Sequence, residues 1–449
     1  MQRADAAAPA VGSVPGRSAK PKIGLATRAS AKPKIGLATR ASAKPKIGLA
    51  LAGGGPLGAI YEIGALCALE EAVPGLNLNA LDAYVGVSAG GFVAAGLANG
   101  LTPRQLCASF IENRGPQADI VQPTVFFQLA WGEYLQRLAG LPGQIAHAAW
   151  GYVVKGQSLL TSLECLGRAL PTGLFTQAPL QAQLLRMFSQ PGRSDDFRRL
   201  AHRLVIVATD LDSGESAPFG QPGWDHVPIS QAVAASAALP GLFPPLPING
   251  RWYVDGALKK TLHARVLLDM GLDLILCLNP LVPFDATHAA RHRVLGGAIK
   301  PIPHLVLGGL PVVMSQTFRS LIHSRLELGM QGYRTSHPDT DILLFEPDHR
   351  DPELFVANTF DYSQRQQLAE HAYQRTRAHL RSHRSAIAAT LSQHHLVLND
   401  EALDDVQRRL LPKRQDSRSR GLRSTPAGQA VQRLDEVLND LQRALALRR

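Results

Sequence analysis

The sequence predicts an α/β fold in which helices cover both faces of a mainly parallel central sheet. Short apolar runs alternate along the chain with stretches rich in Ala, Leu and Gly at helical spacing. This alternation is typical of a parallel sheet that is buried on both faces. The predicted strands are Ile47–Ala52, Ala83–Val87, Leu204–Thr209, Arg251–Val254 and Leu272–Leu278. The predicted helices between them are Ile60–Ala72, Gly90–Ala98 and Ile229–Ala238.

The rest of the chain adds a hairpin and a helical C-terminal part. Asn249-Gly250 lies between two short apolar stretches, which predicts a hairpin turn. We expect helices over His304–Gln331 and Ser363–Leu398, and a final strand over Asp341–Phe345.

Length and composition indicate one large domain with attachments. The chain has 449 residues, 45% hydrophobic and 18% charged, which excludes wholesale disorder. We expect an α/β domain over residues 44–285, with a helical insertion at about 101–200, and a helical part over 286–411 that completes it. A disordered basic tail is predicted over 1–43, and a basic linker with a terminal amphipathic helix over 412–449.

The basic tail contains a tandem repeat. Ala19–Ser30 and Ala31–Ser42 are identical segments of twelve residues, and a third copy begins at Ala43. Only the third copy continues into an apolar run, so the first two resemble duplicated strand starts. A twelve-residue unit is too short for the usual solenoid repeat.

The positive charge belongs to the two ends of the chain. Of the net charge of +11, residues 1–46 carry +9 and residues 408–449 carry +7, which leaves −5 for the body. A nucleic-acid-binding body is therefore not indicated. Basic ends on a non-basic body fit attraction to an anionic surface such as a membrane or RNA. Solvated tails without a partner are an equal alternative.

Cysteine usage and hydropathy bear on localisation. The four cysteines lie far apart in apolar surroundings, which argues against a disulfide framework and predicts buried thiols in a reducing compartment. No uninterrupted apolar run reaches the roughly 18 residues that span a bilayer, and the first residues lack a signal-peptide core. We expect a cytoplasmic protein, with peripheral membrane contact through the basic ends as an alternative.

The first motif that carries chemistry is a glycine-rich loop between a predicted strand and a predicted helix. Gly53, Gly54, Gly55 and Gly58 surround Pro56-Leu57 in this loop. Glycines here let several backbone N–H groups point into one concavity, where they bind negative charge. The spacing suits a nucleotide pyrophosphate, an oxyanion hole or simply a tight turn.

The second motif is Gly86-Val87-Ser88-Ala89-Gly90, which also lies between a strand and a helix. That context is the one a nucleophile elbow requires, in which a sharp turn exposes the serine hydroxyl. Gly86 and Gly90 would allow the helix to approach closely. The helix N-terminus would help to stabilise an alkoxide at Ser88.

The third motif is Asp255-Gly256, directly after a predicted strand. A carboxylate at a strand end can accept a proton from a serine across a site, although an Asp-Gly turn is the simpler interpretation.

The order of the three motifs along the chain argues against two other classes of α/β protein. An α/β-hydrolase places several strands before its elbow, and a dinucleotide domain does not require an elbow at all.

Together these segments resemble the patatin-like phospholipases. The similarity rests on residues 48–66, 86–91, 232–245 and 253–258, which read GLALAGGGPLGAIYEIGAL, GVSAGG, AVAASAALPGLFPP and YVDGAL. The resemblance implies a three-layer α/β/α fold with residues 44–285 as its catalytic domain. It also implies a catalytic dyad without histidine. Ser88 would attack a lipid ester, Asp255 would be the general base, and the loop Gly53–Gly58 would hold the oxyanion.

One position departs from the family pattern. The family often has Arg or Lys just before the last glycine of the loop, where this chain has Leu57. No metal-ligand spacing and no cofactor motif occur in the sequence, so we expect metal-independent chemistry without a cofactor. His226 and His263 have no assigned role in a dyad mechanism.

Three hypotheses follow for the function. The leading one is a serine hydrolase that cleaves acyl esters of lipids, of the phospholipase A or lysophospholipase type, through an acyl-enzyme. The second is transfer of the acyl group to an alcohol or lysolipid by the same dyad. The third is a lipid- or membrane-binding protein without catalysis, suggested by Leu57 and the basic ends. The sequence does not specify an oligomeric state.

Overall fold

The fold is described from a computed structural model of the chain. The structure describes residues 44–126, 128–130, 132, 134, 150, 171–287, 291–293, 299–301, 304–356 and 364–411. The predicted basic tail over 1–43 and the predicted linker and helix over 412–449 lie outside the described residues.

The described chain contains ten strands. They are β1 Ile47–Leu51, β2 Ala83–Gly86, β3 Arg203–Asp210, β4 Ser216–Phe219, β5 Leu246–Ile248, β6 Arg251–Asp255, β7 Leu274–Leu278, β8 Arg291–Arg293, β9 Ile299–Pro301 and β10 Asp341–Phe345.

The α-helices lie between and after these strands. They are α1 Gly55–Ala72, α2 Ala89–Ala98, α3 Pro103–Leu106, α4 Ala178–Phe188, α5 Ile229–Ser236, α6 Arg265–Leu268, α7 Gly309–Ser336, α8 Pro352–Val356, α9 Arg365–Ser382, α10 Arg384–Gln393 and α11 Asp400–Asp404. A π-helical turn covers Cys107–Ile111, and 3₁₀ turns cover Pro123–Phe126, Phe197–Arg199, Gly256–Leu258 and Leu305–Gly308.

Eight strands form one central sheet with a parallel half and an antiparallel half. The order β10-β7-β1-β2-β3 is parallel throughout. Strands β4 and β6 pair antiparallel with β3, and β5 pairs antiparallel with β6. Strands β8 and β9 form a separate hairpin.

The pairing of β3 brings two strand ends together. Ile206 of β3 pairs with both β2 and β4, and Ala208 pairs with both β4 and β6. Because a strand has only two edges, β2 and β6 must share the edge opposite β4. They run in opposite directions along it, so the carboxyl end of β2 faces the carboxyl end of β6. The residues that follow these two ends therefore meet.

Buried side chains on both faces of the sheet establish a three-layer α/β/α fold. Along β1, Leu49 and Leu51 belong to one hydrophobic cluster, whereas the intervening Ala50 belongs to another. The first cluster packs under α1, α2 and α9, and the second packs under α6 and the C-terminal half of α7. This alternation has the period of two that a strand buried on both sides requires.

The predicted α/β architecture is confirmed, with corrections at the ends of elements. The hairpin at Asn249-Gly250 is present, and both residues have positive φ. The final strand occupies Asp341–Phe345 as predicted. The single long helix expected over Ser363–Leu398 is wrong, because the chain breaks at His383 into α9 and α10. In the described part of 101–200, the named elements are helices and helical turns.

One segment has the length and composition of a membrane-spanning helix. It covers Leu305–Ser336, with a mean hydropathy of 1.4 over its most apolar 18 residues, none of which is buried. The sequence analysis did not expect it, because glycines, a glutamine and an arginine interrupt the apolar residues.

Candidate active site

Ser88 occupies a strained turn at the end of β2. Its φ of 54° and ψ of −119° lie in a region that side chains other than glycine rarely adopt. The turn is so tight that a Cβ placed on Gly86 would lie 2.5 Å from the carbonyl oxygen of Gly90, which only a glycine avoids. The N–H of Gly90 donates to the carbonyl of Ala52, which ties the start of α2 to the end of β1. The elbow predicted from the sequence is therefore present.

Ser236 holds this turn from the side of α5. The backbone N–H of Ser88 donates to the Ser236 hydroxyl at 2.8 Å, and that hydroxyl donates to the carbonyl of Val207 at 2.6 Å. Ser236 is fully buried, so water does not replace these bonds. The sequence analysis missed this residue. Its only signal was its place within residues 232–245, one of the segments that carries the family resemblance.

Asp255 ends β6 and meets Ser88 at the edge of β3. The Ser88 hydroxyl lies near the Asp255 carboxylate and favours its ionised form. The carboxylate accepts a hydrogen bond from the N–H of Ala257 at 2.8 Å. Burial raises the pKa of Asp255 to about 6, although the Ala257 N–H and the Ser88 hydroxyl oppose the shift. Asp255 is therefore a stronger base than an exposed aspartate.

The glycine-rich loop lies directly over this pair. A Cβ at Gly53 would lie 3.3 Å from the Cβ of Ser88 and 3.0 Å from that of Ala257. Gly55 has a φ of 60°, which turns the chain into α1. Within the described residues, no hydrogen bond engages the N–H groups of Gly54 and Gly55. These donors lie at the N-terminus of α1, where an anion is stabilised.

The loop lacks a cation of its own, as the sequence indicated. Leu57 is 8% exposed and belongs to the hydrophobic cluster beneath α1. Pro280 packs directly against the loop. A Cβ placed on Gly54 would lie only 2.8 Å from the Cγ of Pro280. The nearby Lys259 makes an ion pair with Glu215 at 2.6 Å.

The structure separates the two histidines that had no assigned role. His263 is buried beside the site, with its ring near the backbone of Gly256. Burial lowers the pKa of His263 to about 4, so the ring is neutral at pH 7. His226 contacts Asn249 in the hairpin turn at 3.0 Å. Among the described residues, no group of three or more Cys, His, Asp or Glu side chains could hold a metal ion.

The three predicted motifs thus converge on one site. A serine hydroxyl lies near a buried carboxylate and beside a loop whose amide donors are free within the described residues. Such a group can attack a carbonyl carbon while the amides stabilise the resulting oxyanion.

Comparisons with known proteins agree with the sequence resemblance. Residues 49–268 match the sequence model of the family described as Patatin-like phospholipase. Three solved structures are similar to the chain at low identity. VipD from Legionella pneumophila is 16% identical with a TM-score of 0.30, over 79% of this chain and 75% of that chain. ExoU in complex with SpcU, from the type III secretion system of Pseudomonas aeruginosa, is 18% identical with a TM-score of 0.27, over 76% and 53%. The type III effector protein ExoU in a further crystal structure is 16% identical with a TM-score of 0.28, over 90% and 64%.

Proposed function

From the match of residues 49–268 to the patatin-like phospholipase family, we propose that the chain is a member of that family and a serine hydrolase that cleaves acyl esters of lipids. The observation that carries the proposal is the proximity of the Ser88 hydroxyl to the buried Asp255 carboxylate beside the glycine-rich loop. Phospholipids or lysophospholipids are the proposed substrates.

The first half of the proposed reaction forms an acyl-enzyme. The Oγ of Ser88 attacks the ester carbonyl carbon while Asp255 accepts the hydroxyl proton. The carbonyl oxygen becomes an oxyanion, which the N–H groups of Gly54 and Gly55 stabilise. Donors of this kind are typically worth about 3 kcal/mol each. Collapse of the intermediate breaks the ester bond, and the proton passes from Asp255 to the leaving alkoxide.

The second half releases the acyl group to water. Asp255 removes a proton from the water as it attacks the acyl carbon. The resulting intermediate expels Ser88, which recovers the proton, and a fatty acid leaves. No histidine is needed, because burial gives Asp255 the basicity that a serine proton acceptor requires.

Two separate variants test the dyad. We expect Ser88→Ala and Asp255→Asn each to lower the release of fatty acid from phospholipid by at least about four orders of magnitude. A fluorophosphonate probe should label the wild type at Ser88 and should leave Ser88→Ala unlabelled.

The matched controls lie in the exposed turn between β3 and β4. Ser213→Ala and Asp212→Asn make the same chemical changes at exposed positions, and both should retain wild-type activity. Full activity in either dyad variant, with circular dichroism showing a folded protein, would contradict the proposed mechanism.

A further inference from the structure

The N-terminal half of α7, with the 3₁₀ turn before it, exposes an apolar surface. We define the apolar outer face as Val306, Leu307, Leu310, Met314, Phe318 and Leu321. Leu307 and Leu310 are each 73% exposed, and Leu321 is 59% exposed. Leu310, Met314, Phe318 and Leu321 recur at helical spacing and form one stripe. A contiguous exposed apolar stripe is typical of an interaction site.

Two polar side chains on the inward face of the same half-helix bind the body of the protein. Gln316 forms two hydrogen bonds with the backbone of Phe284, at 2.9 and 3.1 Å. Arg319 donates to the carbonyl of Val282 at 3.3 Å. This half of α7 is therefore inverted relative to an ordinary surface helix, whose apolar stripe faces the core. The inversion would be unfavourable in water and indicates that an apolar medium covers the outer face.

The C-terminal half of the same helix has the ordinary arrangement. Leu326 and Met330 are buried in the core under the sheet, whereas Arg325, Glu327 and Arg334 are exposed. The apolar side chains of α7 are therefore exposed only in its N-terminal half, before the helix packs against the sheet at Leu326.

The apolar outer face projects from the edge of the sheet that carries the candidate site. Helix α7 has 28 residues, which corresponds to about 42 Å, whereas β10 has five residues and spans about 17 Å. Because α7 leads into the amino end of β10, its own N-terminal half must extend past the carboxyl edge of the sheet. Pro280, which braces the glycine-rich loop, belongs to the same segment that Gln316 and Arg319 bind.

The segment that contains this surface has a positive net charge in sequence. Residues 286–326 contain five Lys or Arg and no Asp or Glu, although Asp285 and Glu327 adjoin this range. Arg325 lies beyond the apolar stripe and binds the carbonyls of Leu258 and Lys259, in the turn after Asp255. An exposed helix that is apolar enough to cross a membrane and belongs to a basic segment is typical of a helix that lies on an anionic bilayer.

We propose that the apolar outer face docks on the surface of an anionic lipid bilayer. The helix lies along the interface and does not cross it, because Gln316 and Arg319 remain bonded to the body. The docked surface then holds the carboxyl edge of the sheet towards the lipid. The docking goes beyond the proposed function, and only its use in delivering substrate to Ser88 rests on that function.

The test measures binding of the full chain to vesicles by flotation. The Ser88→Ala protein is used so that lipid is not consumed, with vesicles of phosphatidylcholine containing about one quarter phosphatidylglycerol. Salt of about 0.5 M shortens the Debye length to about 4 Å and suppresses binding through the basic ends. We expect the triple substitution Leu310→Gln, Phe318→Gln and Leu321→Gln to lower the bound fraction at least about tenfold.

The matched control removes apolar side chains that are equally exposed elsewhere. Val397 and Val406 are 70% and 77% exposed. The double substitution Val397→Gln and Val406→Gln should bind vesicles like the Ser88→Ala protein, which is the parent of all these variants. Circular dichroism verifies the fold of each variant. The proposal is overturned if the parent does not bind, or if the triple variant binds as well as the parent.

Two further measurements separate this proposal from its alternatives. Light scattering that finds a dimer in the parent and a monomer in the triple variant, without vesicle binding, would assign the face to a second copy of the chain. Binding is measured with Ser88→Ala and activity with the wild type, so the two proposals can fail separately. If the wild type is inactive but vesicle binding depends on the three residues, the proposed hydrolase is refuted and the docking surface is retained. If the wild type is active but vesicle binding does not depend on these residues, the docking surface is refuted and the hydrolase is retained.

Discussion

At the scale of single residues, the site depends on how burial tunes one carboxyl group. Asp255 is 3% exposed, and desolvation favours its neutral form. The hydrogen bond from Ala257 and the nearby Ser88 hydroxyl favour the ionised form and limit the shift. The outcome is a pKa of about 6, which leaves the group mainly ionised at pH 7 while making it a useful proton acceptor.

The pKa of Asp255 predicts the acid limb of the activity profile. Below about pH 6 the carboxyl group is protonated and no longer accepts the proton of Ser88. We therefore expect kcat/KM to fall about tenfold per pH unit below that value and to be level above it. The measurement is hydrolysis of a soluble neutral ester, whose own ionisation does not change over this range.

A second buried carboxyl group provides the control for this profile. Burial raises the pKa of Glu346 to about 7, but this residue binds the Asn279 amide and has no contact with Ser88. Glu346→Gln should therefore keep the inflection near pH 6. An inflection that disappears in Glu346→Gln would show that Asp255 is not the titrating group.

At the scale of elements, the reactive turn is held by a helix that contributes no reacting group. The hydroxyl of Ser236, at the end of α5, joins the elbow after β2 to the carbonyl of Val207 in β3. Because Ser88 has a strained φ, its backbone requires such support from its surroundings. Ser236 is thus a positioning residue.

Loss of this hydroxyl should slow the reaction without abolishing it. Ser236→Ala leaves the buried N–H of Ser88 without its acceptor, which costs about 1–3 kcal/mol and allows the turn to shift. We expect kcat to fall about 10- to 100-fold with little change in KM, and labelling by a fluorophosphonate to slow in proportion.

Ser230→Ala is the matched control for this variant. Ser230 is also buried on α5, but its hydroxyl binds Asp195 and does not contact the elbow. It should lower stability and leave kcat near the wild-type value. Equal losses of kcat in the two variants would indicate that Ser236 acts only through stability.

Elements with strong local signals could be predicted from the sequence. Strands β1, β2, β3 and β7 were found because they are apolar on both faces, as buried parallel strands are. The elbow and the glycine-rich loop were found because each requires small residues at fixed positions. Their convergence on Asp255 came only from the family resemblance, since it depends on the shared edge of β3.

Other features leave no local signal. The break at His383 contains no proline or glycine, and the chain is turned there by hydrogen bonds from Ser382 and His383 to the carbonyl of His379. The inversion of α7 is also hidden, because its apolar stripe would ordinarily predict the buried face. Ser236 is an ordinary helical serine until the fold places it under Ser88.

At the scale of the whole molecule, the C-terminal part completes the domain. Strand β10 extends the sheet beside β7, and α9 packs against α1 so closely that a Cβ at Gly64 would lie 2.5 Å from the carbonyl of Ala369. Tyr373 of α9 donates to Glu71 of α1 at 2.6 Å. The layer that carries the glycine-rich loop is therefore fixed by residues far from it in sequence.

The same layer encloses a carboxyl group that should couple folding to pH. Glu62 of α1 is fully buried, and desolvation raises its pKa well above the ordinary value. The group therefore binds its proton more tightly in the folded protein than in the unfolded chain, so folding takes up a proton above the pKa of the unfolded chain. The folding stability due to this group decreases as pH rises above the pKa of the unfolded chain.

Glu62→Gln should remove this dependence, because the amide has a similar shape and does not ionise. We expect the free energy of unfolding of the variant to fall less steeply with pH above about 4.5, the ordinary pKa of this carboxyl group, by up to about 1.4 kcal/mol per pH unit, and to exceed that of the wild type at the upper end of the range. Urea unfolding at several pH values measures both slopes. The same substitution at the exposed Glu401 should leave the wild-type slope unchanged. Parallel slopes for the wild type and Glu62→Gln would show that Glu62 is ionised in the folded protein, and the α1 layer would then have to contain a compensating charge.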